Sequence, residues 1–100
     1  MPRKAGKYKT GVKKHDLIEM HSAMLEAVHS PRMLHFKGMD FAERVAGECH
    51  AVSHPILERL GHAIDEATFY VNDGSPESEE NVEKVGSLIN RAVELGLVEE

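Results

Sequence analysis

The sequence has little of what stabilises or anchors many small proteins. It contains one cysteine, Cys49, no tryptophan and five aromatic residues in 100. A single cysteine cannot form an intrachain disulfide, so the chain is not a disulfide-stabilised scaffold. No apolar run approaches the roughly 18 residues that a membrane-spanning helix needs. The scarcity of aromatic side chains predicts a thin aliphatic core, which a small domain often completes by oligomerisation.

The length and composition are those of one globular domain. Chains of roughly 100 to 200 residues usually fold as one unit. Hydrophobic residues make up 41% of the sequence and charged residues 29%, which excludes global disorder and a collagen-like repeat. The lysine-rich start is not followed by the apolar core of a signal peptide. We therefore expect a single-domain, cytoplasmic protein that does not enter a membrane.

Hydrophobic periodicity predicts an all-α fold: a small bundle of three to four helices with a flexible basic N-terminal arm. The arm is predicted over residues 1–14, where glycines and six cations leave little to bury. Residues 15–100 are predicted to form the single helical domain. The predicted helices span residues 15–29, 40–52, 55–71 and 76–95.

Local signals predict where these helices begin and end. Asp40 is typical of a helix N-cap, and Pro55 is typical of a first helical turn. Ser75 is placed to cap the last helix. Gly96 followed by Leu97 is typical of a left-handed Schellman ending.

The apolar positions of each helix predict the core. His21 lies in the middle of the first apolar stripe and is predicted to be a hydrogen-bonded core histidine. Cys49 lies on the second stripe, which predicts an inert buried thiol. The predicted stripes comprise Leu17, Ile18, Met24, Leu25 and Val28; Phe41, Val45, Cys49 and Val52; Ile56, Leu60, Ile64, Ala67 and Val71; and Val82, Val85, Leu88, Ile89, Ala92 and Val93.

The formal net charge of −5 conceals a division along the chain. Residues 1–14 carry six of the 12 Lys and Arg residues and no acid, whereas the rest of the chain carries all 17 acids. Clustered cations neutralise phosphates without reading bases, so the arm is a candidate for nonspecific binding of nucleic acid or another polyanion. A solvated tail and docking on the acidic body of a neighbouring subunit are the alternatives. The candidate polyanion-binding residues are Arg3, Lys4, Lys7, Lys9, Lys13 and Lys14.

Histidine provides a second candidate site, since all seven histidines fall within the first 62 residues. Helical spacing places His54, Glu58, His62 and Asp65 on one face, and His15, Glu19, Glu26 and His29 on another. Imidazole and carboxylate are ligands of zinc and iron, and Glu26 and His29 have the Glu-x-x-His spacing of di-iron bundles. The predicted metal ligands are Glu26, His29, His54, Glu58 and His62, with Glu19 as a further candidate. The alternatives are an exposed face of mixed charge and a metal that bridges two subunits.

His50 and His54 form a separate His-x3-His pair. One continuous helix would hold both side chains on one face for zinc. Pro55 favours a break instead, because its ring would clash with a carbonyl in a continuous helix.

The sequence shows no motif for catalysis. It has no glycine-rich phosphate loop and no serine nucleophile elbow. The sequence therefore predicts a small non-enzymatic helical protein that acts by binding: self-assembly, or adaptor or inhibitor-like binding to a larger partner. Such proteins are common in virions and mobile elements, which is the origin we expect. The alternatives are a metal-binding helical oligomer and nonspecific binding of nucleic acid. A homo-oligomer is expected both for the interaction protein and for the metal-binding protein.

Overall fold

The computed structural model describes residues 10–30 and 38–100. Within these ranges the chain forms four α-helices and no β-strand, which confirms the predicted all-α bundle. The helices are α1 (Lys14–His29), α2 (Met39–His50), α3 (Pro55–Asp73) and α4 (Ser78–Glu94). None of these helices is both long and apolar enough to cross a membrane.

Local capping sets both ends of α3. The Nδ1 atom of His54 accepts a hydrogen bond of 3.1 Å from the backbone N–H of Ile56, and Pro55 occupies the first turn. Proline suits this position because the first backbone N–H groups of a helix have no partner within it. At the other end Gly74 adopts a left-handed conformation with φ 69°, which a residue with a side chain rarely adopts.

The predicted ending of α4 is confirmed. Gly96 has φ 71°, and its N–H donates to the carbonyl oxygen of Val93 at 3.0 Å. The N–H of Leu97 donates to the carbonyl oxygen of Ala92, also at 3.0 Å. These two bonds form a Schellman motif, and they turn the buried Leu97 side chain back onto the bundle.

α3 is the central helix, since it packs extensively against both α2 and α4. α1 packs mainly against α4 and makes smaller contacts with α2 and α3. Most of the predicted core positions are buried. The fully buried large side chains include Val12, Leu17, Met20, Met24, Val45, Leu57, Leu60, Ile64, Val71, Val82, Val85 and Leu97.

The predicted core of α1 is partly wrong. Leu17, Met20, Met24 and Ala27 are buried, whereas Ile18 and Leu25 are 49% and 47% exposed. α1 lies at the edge of the bundle, so only a narrow stripe at steps of three and four residues is covered by its neighbours. The two exposed side chains lie beside that stripe.

A smaller correction applies to predicted core residues of all four helices. Six of them are only partly buried against the core: Val28, Phe41, Val52, Ile56, Leu88 and Val93. In α2 the small residues Ala42 and Ala46 are buried together with Val45 and Cys49. The buried face of α2 is therefore rotated from the predicted one, away from Phe41 and Val52.

The two ends of the described chain are joined by a terminal clasp, formed by residues 10–14 and 97–100. Val12 is fully buried, and its carbonyl oxygen accepts from the N–H of Glu99 at 2.8 Å. The carbonyl oxygen of Glu99 in turn accepts from the N–H of Lys14 at 2.8 Å. Thr10 closes the clasp, because its hydroxyl donates to the carbonyl oxygen of Leu97 at 3.0 Å.

The clasp corrects the predicted boundary of the basic arm at residue 14. Residues 10–13 are held by the clasp and Lys14 is the first residue of α1. The prediction was wrong there because Val12 finds a buried site formed with the far end of the chain, which composition alone does not reveal. The remaining predicted arm, residues 1–9, lies outside the described residues.

Candidate interaction surface

A shallow groove runs between α1 and α4. Its volume is about 170 Å³, and it is lined by Ile18, His21 and Ser22 from α1 and by Gly86, Ile89 and Asn90 from α4. The two helices run in opposite directions, because the start of α1 at Lys14 is bonded to Glu99, beyond the end of α4, while His21, halfway along α1, lies beside Gly86 in the middle of α4. We call the groove together with Leu25 the α1–α4 face.

His21 joins the two walls of this groove. Its Nε2 atom lies 3.0 Å from the carbonyl oxygen of Val82, so a proton on that nitrogen donates a hydrogen bond from α1 to α4. The ring rests against Gly86, where an added Cβ would lie 2.9 Å from two ring atoms. The predicted hydrogen bond is present, but His21 is half-buried at the helix interface and is not a core residue.

Ile18 lines the groove, and Leu25 lies one heptad further along α1. Residues seven positions apart return to the same side of a helix, so these two half-exposed side chains lie on one side of α1, about 10 Å apart along its axis, with His21 and Ser22 between them. Large exposed apolar side chains also occur on α3, where Phe69 is 63% exposed. Phe69 packs edge-on against Tyr70 with ring centroids 5.4 Å apart, and it lines no part of the groove.

A histidine pair lies on the surface where α2 meets α3. His50 Nε2 lies 3.1 Å from Asp65 Oδ2, and the His50 ring meets the His62 ring edge-on with centroids 4.9 Å apart. Gly61 makes room for this arrangement, since an added Cβ would lie 2.8 Å from His50 Cε1. The sequence pattern did not predict the contact between His50 and Asp65, because these residues belong to different helices and only tertiary packing brings them together.

The break that Pro55 favours is present, so His50 and His54 do not share a continuous helix. His50 is the last residue of α2, and His54 is the residue before α3. The Nδ1 atom of His54 accepts from a backbone N–H at the start of α3. The break that Pro55 favours has therefore replaced the continuous helix that a zinc-binding pair requires.

The predicted metal ligands are spread over the surface of the bundle. Glu26 and His29 are exposed near the end of α1, while Glu58 and His62 are exposed on α3. Within residues 10–30 and 38–100, no three His, Cys, Asp or Glu side chains come together in a way that could hold a metal ion. A metal shared between two subunits stays a prediction.

The predicted polyanion-binding residues are only partly described. Lys13 pairs with Glu99 through a single parallel β-bridge, and Lys14 Nζ lies 3.8 Å from Glu100 Oε1. Both lysines therefore lie against acidic residues of the C-terminal end. Arg3, Lys4, Lys7 and Lys9 lie outside the described residues, and their binding of a polyanion stays a prediction.

Cys49 is chemically protected by its surroundings. Its side chain is fully buried, and this burial, reinforced by the charges of Glu48 and Asp65, raises the pKa of its thiol to about 12. The thiolate is the reactive form of cysteine. Cys49 is therefore a packing residue at neutral pH, as predicted, and supplies no nucleophile.

The surface features described above lie at different helix boundaries. The α1–α4 face offers two protruding apolar side chains and a groove, and the histidine pair lies in solvent at another helix boundary. Comparison with known proteins adds no relationship: no family model, no curated protein and no solved structure matches this chain.

Proposed function

We propose that this protein is a small non-enzymatic interaction protein that self-associates through its α1–α4 face. The observation that carries the proposal is the exposure of Ile18 and Leu25, 49% and 47%, one heptad apart beside an open groove. A single exposed apolar side chain needs no explanation, whereas two on the same side of α1, one of them lining a groove, offer a partner two apolar contacts.

A second copy of the chain fits this face because the face is self-complementary. In a two-fold dimer the same patch of both subunits meets, so each contact occurs twice. If two α1 helices cross antiparallel with the axis between His21 and Ser22, Ile18 faces Leu25 of the partner subunit. The small side chain of Ser22 at the crossing lets the two helices approach closely.

Charge supports the same antiparallel arrangement. Lys14 lies at the start of α1 and Glu26 lies near its end. Antiparallel pairing about this axis places Lys14 within one helical turn of Glu26 of the partner subunit, and it sets the two helix dipoles in opposition. A parallel pair would align the dipoles and bring like charges together.

The expected affinity is modest. Burying the exposed half of an isoleucine or leucine side chain contributes about 1 kcal/mol, so the four side chains of a dimer contribute about 4 kcal/mol. Association itself costs at least that much in lost translational and rotational freedom. The remaining contacts of the face must supply the net free energy of association. We expect dissociation constants of roughly 10–100 μM.

Sedimentation equilibrium between micromolar and millimolar concentrations tests the proposal. The unaltered chain should shift from monomer to dimer, and Ile18→Asp and Leu25→Asp should remain monomeric at every concentration. Phe69→Asp is the matched control, since it places the same charge on an apolar side chain that is more exposed but outside the face. A monomer at all concentrations, or equal disruption by the control, would contradict self-association through α1.

A further inference from the structure

A second concave site lies between α3 and α4. It has a volume of about 280 Å³ and is lined by Arg59, His62, Ala63 and Glu66 from α3 and by Lys84 and Leu88 from α4. We call it the α3–α4 cleft. It shares no lining residue with the groove of the α1–α4 face. Ligand pockets for drug-sized molecules usually measure about 300–1,000 Å³, so this cleft suits a smaller ligand.

The cleft concentrates positive charge on an acidic body. Its four α3 residues recur at steps of three and four positions, so they lie on one helical face. Arg59 from that face and Lys84 from α4 supply positive charges from both walls, and His62 adds a ring N–H donor. Glu66 is the one acid among the six lining residues.

The cationic groups of the cleft are available to a ligand. Arg59 makes no hydrogen bond or ion pair with any residue in the ranges that the structure describes. Lys84 Nζ lies 3.9 Å from Glu66 Oε1, and both side chains are about 60% exposed. An exposed ion pair of that length contributes little stability, so a doubly charged anion can displace Glu66 from the ammonium group.

We propose that the α3–α4 cleft binds a phosphate group, either as free phosphate or as a small phosphate monoester. A tetrahedral phosphate presents oxygens in several directions, so it can accept from the guanidinium, the ammonium and the imidazole together. A planar carboxylate is satisfied by the fork of the guanidinium alone. Ala63 and Leu88 provide an apolar wall for the organic part of an ester.

A small anion fits the cleft better than a nucleic acid does. Residues 15–100 carry 17 acids and six Lys or Arg residues. An extended polyanion would lie against these surrounding carboxylates, whereas a single phosphate group would contact only the residues that line the cleft, of which Glu66 is the one acid.

Titration of the 15N-labelled chain with inorganic phosphate, at constant ionic strength, tests the proposal by NMR. We expect saturable shifts confined to the cleft residues in the unaltered chain. Arg59→Gln and Lys84→Gln should each weaken binding by at least about fivefold. Arg44→Gln is the matched control, because it removes one arginine charge from α2, outside the cleft, and should change the affinity by less than about twofold.

Three results would overturn the proposal: shifts that do not saturate, equal weakening by the control variant, or tighter binding of malonate than of phosphate. Glycerol phosphate in a parallel titration identifies the source of the phosphate group. Tighter binding of the ester assigns the apolar wall to its organic part, whereas equal binding assigns the cleft to free phosphate. Thermal unfolding of each variant shows that the loss of binding does not come from loss of the fold.

Discussion

Replacing Gly86 by alanine probes the contact that joins α1 to α4. Alanine favours a helix by about 1 kcal/mol over glycine, so this substitution would ordinarily stabilise α4. At this position, however, the added Cβ would lie 2.9 Å from both Cε1 and Nε2 of His21. Real Cβ atoms do not approach so closely, and the imidazole must move away from α4.

The expected change in the free energy of unfolding follows from the contacts that the His21 ring loses when it moves. Displacing the ring breaks the 3.0 Å hydrogen bond between His21 Nε2 and the carbonyl oxygen of Val82, worth about 0.5–1.5 kcal/mol. Accommodating extra volume in a packed contact costs about 1–3 kcal/mol. After the gain in helix propensity, Gly86→Ala should lower the free energy of unfolding by roughly 0.5–3.5 kcal/mol.

Gly47→Ala is the matched control, because Gly47 is also helical and an added Cβ there would meet nothing within 4 Å. This variant should gain about 0.5–1 kcal/mol. Urea unfolding monitored by circular dichroism measures both free energies. In a His21→Ala background the clash is removed, so Gly86→Ala should become stabilising. The reasoning is refuted if Gly86→Ala stabilises the otherwise unaltered chain as much as Gly47→Ala does.

Three further predictions concern other parts of the bundle. Gly61→Ala should lower the free energy of unfolding by about 1–3 kcal/mol, because its Cβ would displace His50 from Asp65; urea unfolding checks this. Burial raises the pKa of Cys49 from 9.0 to about 12, so the unfolded chain releases the thiol proton at a lower pH than the folded chain does. The free energy of unfolding should therefore fall as the pH rises between those values, by up to about 1.4 kcal/mol per pH unit. Unfolding of Cys49→Ala at several pH values should lack this part of the pH dependence. Deleting residues 97–100 removes the buried Leu97 and the backbone bonds of the clasp, and should cost about 2–5 kcal/mol, whereas deletion of the exposed Glu100 alone should have little effect on thermal unfolding.

The helices and several of their ends could be predicted because they depend on neighbouring residues. The N-caps predicted at Asp40 and Ser75 are wrong, since Asp40 lies inside α2, which begins at Met39, and α4 begins only at Ser78, after Glu77. The apolar period placed α1 and α4 to within one or two residues at each end. Pro55 and Gly96 act through backbone geometry that is fixed locally. Such signals need no knowledge of what the helix packs against, which is why the helices could be placed from sequence alone.

The parts that could not be predicted depend on contacts between distant residues. Ile18 and Leu25 satisfy the helical period as well as the buried positions do, and only the position of α1 at the edge of the bundle exposes them. Val12 looks like an isolated apolar residue in a basic segment, yet Glu99, 87 positions later, holds it in the clasp. The pairing of His50 with Asp65 likewise depends on how α2 meets α3.

The central claim, self-association with a two-fold axis between His21 and Ser22, is tested most directly by disulfide trapping. Ser22 is exposed, and the proposed axis brings its two copies close enough for a disulfide after Ser22→Cys. The native Cys49 is fully buried and does not compete. We predict rapid formation of a covalent dimer under mild oxidation, and little from Ser87→Cys, which places a thiol at an exposed position of α4. Equal trapping by the two variants, or none by Ser22→Cys at concentrations near 100 μM, would contradict the account.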